Sequence, residues 1–276
     1  MALKRDESGR LHIESSLMGE SLMRRDLLAD TDTEHIYRLL PDLQVLKLGG
    51  QSLIDRGKEV VVPVLEELVA ARAEYDQLVL TGGGTRSRHA YAIALDLGMP
   101  TGVLAKLGSS ISEQNALMIA LLLAPYGGVK IGHDDLVKLP VYLQMGDIPV
   151  MHAMPPYGFW EEPPAVGRIP PHRTDSGTFL TAEVLGARRC ILVKDERGLF
   201  SDDPKRTPTA QFIPEISAGE LLALDLPDLP VERAMLHSLV RARSVHEVLI
   251  VNGRERGALT AALQGENPGT RILSGR

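Results

Sequence analysis

Short apolar runs alternate with longer stretches of helical spacing along most of this chain, and that alternation constrains the fold more than any other feature. The runs fall at residues 44–48, 77–80, 129–131, 148–151, 190–193 and 248–251, and helical spacing falls at 56–73, 86–97, 112–123, 175–185 and 231–242. Strands interleaved with helices in this way pair in parallel, each helix carrying the chain back to start the next strand in the same direction. Right-handed crossovers then distribute the helices over both faces. The expected fold is α/β, a three-layer αβα sandwich with a largely parallel central sheet, formed by one domain over residues 41–276. Residues 1–40 are polar and charge-mixed. They read as an extension with a short helix near 21–28, either an arm on a neighbouring subunit or a solvated tail.

Composition narrows the function classes. At 276 residues with 44% hydrophobic content, the chain has ample material for a core, and its net charge of −6, with no basic patch, opposes a nucleic-acid partner. Cys190 is the single cysteine and lies in an apolar run, so it is expected to be a buried thiol, and no intrachain disulfide is available. No stretch reads as a membrane span of roughly 18 apolar residues, and the charged start does not resemble a secretory signal. The expectation is a cytoplasmic protein with no membrane partner.

Two glycine loops carry the first chemical signal. Lys47-Leu48-Gly49-Gly50-Gln51-Ser52 ends the first strand, and Thr81-Gly82-Gly83-Gly84-Thr85-Arg86-Ser87-Arg88-His89 ends the second. One Gly-Gly after a strand is commonly a tight turn. Two, at the carboxyl ends of consecutive strands, converge on the place where open α/β sheets bind ligands, and their N–H groups suit phosphate oxygens. Neither is a Walker A sequence, since Gly57-Lys58 runs into Glu59, and the dinucleotide fingerprint lacks its third glycine.

Two further segments join them. Arg173-Thr174-Asp175-Ser176-Gly177 opens a helix, where Thr174 or Asp175 serves as a cap, or Asp175 orients a lysine or holds Mg²⁺. Lys194-Asp195 begins a charged turn that continues through Gly198, Phe200 and Asp203-Pro204-Lys205, suited either to solvent or to a nucleotide.

Residues 154–171 hold six prolines and cannot form regular helix or central strand. A stiff loop is expected, or else a domain linker, and the aromatics Phe159 and Trp160 argue for packing. His133, His152 and His172 lie near the sheet's ligand end or this loop, and each reads first as an ordinary hydrogen-bonding histidine.

Taken in order, the four segments resemble the amino-acid kinase superfamily, especially its uridylate-kinase branch, over roughly residues 41–272. The resemblance implies that Gly49, Gly50, Gly83 and Gly84 embrace phosphates and that Lys47 stabilises the transferring group. It implies too that Asp175 organises the lysines and that the segment from Lys194-Asp195 to Asp203-Pro204-Lys205 binds ATP. The strings 47–57, 107–115, 154–157, 169–175 and 251–253 are more specific and resemble the molybdenum storage proteins, particularly their ATP-binding beta-type subunit. That resemblance implies ATP and Mg²⁺ as ligands, molybdate or tungstate as cargo stored in oxide clusters, and a hexamer built as a trimer of dimers, with or without a related alpha-type subunit. The alpha type carries a histidine run after Pro-Pro-Tyr. Here Gly158-Phe159-Trp160 stands there instead and His152 lies two residues before Met154, so cluster ligands do not transfer as a set. Under this resemblance His152 first, then His133 and His172, are candidate ligands for an oxometalate, and Arg86, Arg88 and Lys106 are candidate escorts for the oxyanion or else ordinary solvated charges.

Overall fold

The computed structural model describes residues 4–5, 9, 11–12, 22–31, 36–204 and 206–275. The chain divides into two units, Met1–Tyr37 and Arg38–Arg276. In the first, β1 (Lys4–Arg5) pairs antiparallel with β2 (Leu11–His12), and α1 covers Arg25–Asp30. That helix starts later than the sequence reading placed it, and Ser21 lies outside the described residues.

In the second unit the strands are β3 (Gln44–Leu48), β4 (Gln77–Thr81), β5 (Gly128–Lys130), β6 (Ile148–His152), β7 (Arg189–Lys194), β8 (Leu199–Phe200), β9 (Phe212–Ile213), β10 (Glu215–Ser217), β11 (Glu247–Asn252) and β12 (Thr270–Leu273). The helices are α2 (Lys58–Ala71), α3 (Gly84–Asp96), α4 (Thr101–Leu123), α5 (Leu139–Gln144), α6 (Thr174–Leu185), α7 (Ala218–Ala223), α8 (Arg233–Val240) and α9 (Ala258–Gln264). Eight strands form one sheet in the order β10-β12-β11-β7-β3-β4-β6-β5, parallel throughout except between β11 and β12. β8 and β9 form a separate antiparallel pair.

Period-two alternation divides the core between the two sheet faces. Val45, Leu78, Cys190, Leu192 and Ile250 point to one face and pack with Phe179 of α6, Leu221 of α7 and Leu236 of α8. Leu46, Leu48, Val79, Ile191 and Val251 point to the other and pack with Leu68 of α2, Ile119 of α4 and Leu259 of α9. The result is the expected three-layer sandwich. Cys190 is a free thiol buried in the first layer, and burial pushes its pKa up.

Helix α4 differs most from the sequence reading, beginning at Thr101 rather than 112. Gly102, Gly108 and the serines around them hide the helical spacing. They serve packing: a Cβ at Gly108 would sit 2.1 Å from the Tyr91 hydroxyl of α3, and one at Gly102 would sit 2.3 Å from the Phe159 carbonyl. By length and composition, Thr101–Tyr126 is also sufficient to cross a membrane. Lys106 and Glu113 interrupt the apolar run, which is why the sequence alone showed no such stretch. One face of this helix covers β5 and β6. Its buried Ser112 and Asn115 bond to the Thr81 and Gly82 carbonyls.

Candidate functional site

Strand alternation brings the first two charged groups together. Lys47 and Lys194 each continue the set of residues facing α6, and they sit at the carboxyl ends of the adjacent parallel strands β3 and β7. Asp175, in the first turn of α6, meets both. Its Oδ1 accepts from Lys47 Nζ at 2.5 Å, and its two carboxylate oxygens accept from Lys194 Nζ at 3.2 and 3.1 Å. Lys47 and Asp175 are buried, and Lys194 is half-buried. Burial alone would raise the Asp175 pKa, but the Lys194 and Lys47 charges overcome it and hold this carboxyl well below the usual range. Burial lowers the Lys194 pKa against the opposing pull of Asp175. Of the three roles the sequence left open for Asp175, cap, lysine organiser and Mg²⁺ holder, its side chain is engaged as the lysine partner and makes no cap bond.

The glycine loops close the same end of the sheet. The Gly49 N–H donates to the Val193 carbonyl and the Gly82 N–H to the Leu48 carbonyl, so both loops continue the ladder and then turn over its edge. They approach backbone to backbone, and a Cβ at Gly50 would lie 2.1 Å from the Gly84 nitrogen. Gly84 has φ +72, and a Cβ there would also meet the Asp55 carboxylate at 2.6 Å. No residue but glycine fits either place. Asp55 in turn accepts from the Thr85 N–H at 2.5 Å and anchors the start of α3.

These elements line one cavity of about 800 Å³, in the range of small-molecule sites. Its walls bring together Lys47, Gly49, Gly50, Gln51, Ser52, Gly82, Gly83, Gly84, Asp175, Lys194 and Asp195, all singled out in the sequence. Arg88 lines it as well, whereas Arg86 turns to Gln114 and Asn115 of α4. The turn after β7 stays apart. Gly198 abuts Thr270, the Phe200 ring lies 5.5 Å from Phe212, and Asp203 pairs with Arg206 at 3.4 Å. Neither these residues nor Pro204 lines the cavity, and Lys205 lies outside the described residues.

Several wall residues carried no sequence signal. Arg56 pairs with Asp195, Tyr91 projects from α3, and the segment Leu229–Glu232 closes the far side. Burial raises the Tyr91 pKa to about 12, so it is a neutral hydroxyl at ordinary pH.

The three histidines do not form one group. His133 and His152 meet edge to face with ring centres 4.5 Å apart, beside Ser109, whose Oγ is 3.4 Å from His152 Nδ1. Burial, then the neighbouring His133, lowers the His152 pKa to about 4, and burial lowers that of His133 as well. His152 ends β6, two residues before the cavity-lining Met154, and neither His133 nor His152 lines the cavity itself. His172 instead bonds Glu161 at 2.9 Å and contacts the Tyr157 ring, within the proline-rich loop. That loop is irregular as expected, apart from a 3₁₀ turn at Gly158–Trp160. Its aromatics do not pack inward: Phe159 is 61% exposed and Trp160 86%. Polar contacts tie the loop down instead: the Arg168 guanidinium donates to the Leu95 and Met99 carbonyls, and the Thr101 hydroxyl donates to the Arg168 carbonyl.

The amino acid kinase family model matches residues 42–252. The chain belongs to the amino acid kinase family. Among relatives of this family, the molybdenum storage protein subunit beta of Azotobacter vinelandii is 47% identical over 95% of this chain and 97% of its own. A uridylate kinase of Methanothermobacter thermautotrophicus is 28% identical over 80% of this chain and 95% of its own. Solved structures of the family share the fold. The uridylate kinase from Archaeoglobus fulgidus superposes with a TM-score of 0.64 at 19% identity, over 84% of this chain and 100% of that one. The UMP kinase from Bacillus anthracis gives 0.65 at 18%, over 86% and 98%.

Proposed function

We propose that this chain binds ATP with Mg²⁺ in the cavity and couples ATP hydrolysis to the storage of molybdate or tungstate as polynuclear oxide clusters. It works in the cytoplasm inside an oligomeric cage, a hexamer arranged as a trimer of dimers, built from this chain alone or with a related alpha-type subunit. The observation that carries the reading is identity of 47% across 95% of the chain to a molybdenum storage subunit, against 28% to a uridylate kinase.

The chemistry of the cavity supports the ATP half. Backbone N–H groups of the two glycine loops take phosphate oxygens, and Lys47 and Lys194, held apart by Asp175, offset the charge on the transferring group. Water attacks the terminal phosphorus, the bond to the bridging oxygen breaks, and ADP, phosphate and a proton leave. Mg²⁺ fits here as a companion of the nucleotide. Asp175 is engaged by two lysines, Asp195 by Arg56 and Glu232 by backbone N–H groups, so the cavity offers it no spare carboxylate. When bound, the ion neutralises triphosphate oxygens.

For the cargo, His152 and His133 are the first candidates, as neutral imidazoles beside the cavity with Lys106 and Lys130 among the charges acting on His152. His172, tied to Glu161, is a separate candidate. Arg88 is the oxyanion escort within the wall.

Elemental analysis tests the whole. After incubation with ATP, Mg²⁺ and molybdate, desalted protein should retain several metal atoms per chain, and omission of ATP should abolish this. Sub-stoichiometric metal with ATP present would overturn the storage reading, and robust UDP formation from UMP would replace it with a uridylate kinase.

A further inference from the structure

One buried carboxylate in the cavity wall has no place in the chemistry above. Glu232 is 7% exposed. It is the residue before α8, yet it reaches across to the start of α6. There its oxygens accept from the N–H groups of Arg173 at 2.9 Å, Asp175 at 3.0 Å and Ser176 at 3.0 Å, and from the Ser176 hydroxyl at 2.7 Å. The Arg173 guanidinium stands 3.8 Å away. A helix start normally leaves such N–H groups to water, a side chain of its own or a bound anion. Here they are filled from another helix. Two residues earlier in the same segment, the Pro230 carbonyl accepts from the Lys194 ammonium. The segment 230–232 therefore grips the reacting centre twice, once through the backbone that carries Asp175 and once through Lys194 itself.

We propose that Glu232 is a positioning residue for the Lys47–Asp175–Lys194 centre: it fixes the first turn of α6, and its segment fixes the Lys194 ammonium, so that carboxylate and lysines hold one geometry when the nucleotide arrives. The α6 start has no side-chain cap of its own, so the bonds that fill its N–H groups come from Glu232. Glu232 also adds a negative charge near Lys194, beside the larger influences of Asp175 and Lys47. The charged groups facing Lys194 are thus Asp175, Lys47 and Glu232, with Arg173 behind Glu232.

The inference rests on the ATP reading for its kinetic test but not for its chemical one. Glu232→Gln keeps the shape and an acceptor oxygen and removes the charge. In phosphate-release assays of the full-length protein, kcat should fall about tenfold or more while KM for ATP changes by no more than about threefold. The alkaline limb of the kcat profile should move to lower pH, because Lys194 loses a neighbour that favours its charged form. Glu232→Asp should lower kcat and leave that limb in place. Independently of ATP, acylation of Lys194 followed by mass spectrometry across pH should show its midpoint lowered in Glu232→Gln and unchanged in Glu232→Asp. A mere structural brace would alter melting temperature and labelling rate, not that midpoint. Wild-type kcat and an unmoved labelling midpoint in Glu232→Gln would overturn the proposal. Absence of ATP hydrolysis in the wild type would instead overturn the functional reading, with the labelling midpoint still deciding the role of Glu232.

Discussion

Asp175 is the residue on which the cavity's electrostatics turn, because it pairs with two lysine charges at the ends of neighbouring strands. Removing one member of a buried ion group leaves the others uncompensated, which costs more than the group contributes when intact. Asp175→Asn should therefore melt lower than wild type at neutral pH and lose ATP hydrolysis by at least about a hundredfold. The pH dependence has a definite sign. The folded-state pKa of Asp175 is lowered, so its contribution is fully present above the ordinary carboxylate value of about 3.9 and fades as pH falls through that range toward its own. The stability gap between wild type and variant should consequently narrow on acidification below about pH 4, measured by denaturant titration at several pH values. Gly50 makes the complementary steric case. With only 2.1 Å between a Cβ and the Gly84 nitrogen, Gly50→Ala must push the two loops apart. Calorimetry should show ATP affinity lost and stability reduced by about 1–3 kcal/mol.

At the scale of elements, side chains from elsewhere fix several segment ends around the sheet. Asp55 serves α3, Glu232 serves α6, Glu67 serves α9 through Gly257 and Thr260, and Glu183 serves the N–H groups of residues 243–245. The first two fix segments that line the cavity, and neither Glu67 nor Glu183 nor any group they bond lines it, so the two pairs separate stability from function. Glu67→Ala should lower stability by about 1–2 kcal/mol and leave ATP binding as in wild type. Asn115→Ala should lower stability and also weaken ATP binding, since the Asn115 amide donates to the Gly82 carbonyl at 2.6 Å and its oxygen accepts from Arg86. Weakened ATP binding by calorimetry together with a lower melting temperature is the expected pair of results. These devices also mark where the sequence became unreadable. Lys47, the glycine loops and Asp175 were legible because strand ends and turn chemistry are local. Glu232 was not, because it acts 57 residues from Asp175 and an isolated Glu before a helix has no distinguishing spacing. The first half of α4 was hidden for a different reason: its glycines answer to Tyr91 and Phe159, contacts that no periodicity displays. The turn after β7 was legible as a turn, but its distance from the cavity depends on the β8–β9 pairing, which two-residue strands do not announce.

On the scale of the whole molecule, the unanswered surface is the outward side of α4. Leu117, Met118, Leu121 and Leu122 are 49%, 42%, 65% and 49% exposed on one long helix, next to Gln114 and apart from the charged ring of the cavity. Contiguous exposed apolar side chains on a helix are unfavourable in water and mark an interaction surface, which the proposed assembly would cover. The same helix braces the second glycine loop from its inner side through Ser112 and Asn115. Covering its outer side would thus fix a wall of the cavity, which links assembly to nucleotide binding by one rigid element. A charge placed in this surface must be desolvated for the contact to form, a cost an interface does not recover without a partner charge. Leu121→Glu leaves the core untouched, since Leu121 is 65% exposed. The variant should keep the wild-type melting behaviour at high dilution, sediment as a smaller species at working concentration, and bind ATP more weakly only where the wild type is assembled. Sedimentation velocity paired with ATP titration over a concentration series reads both effects. An unchanged sedimentation coefficient across the series would remove this face from the assembly and leave its apolar side chains without a physical account.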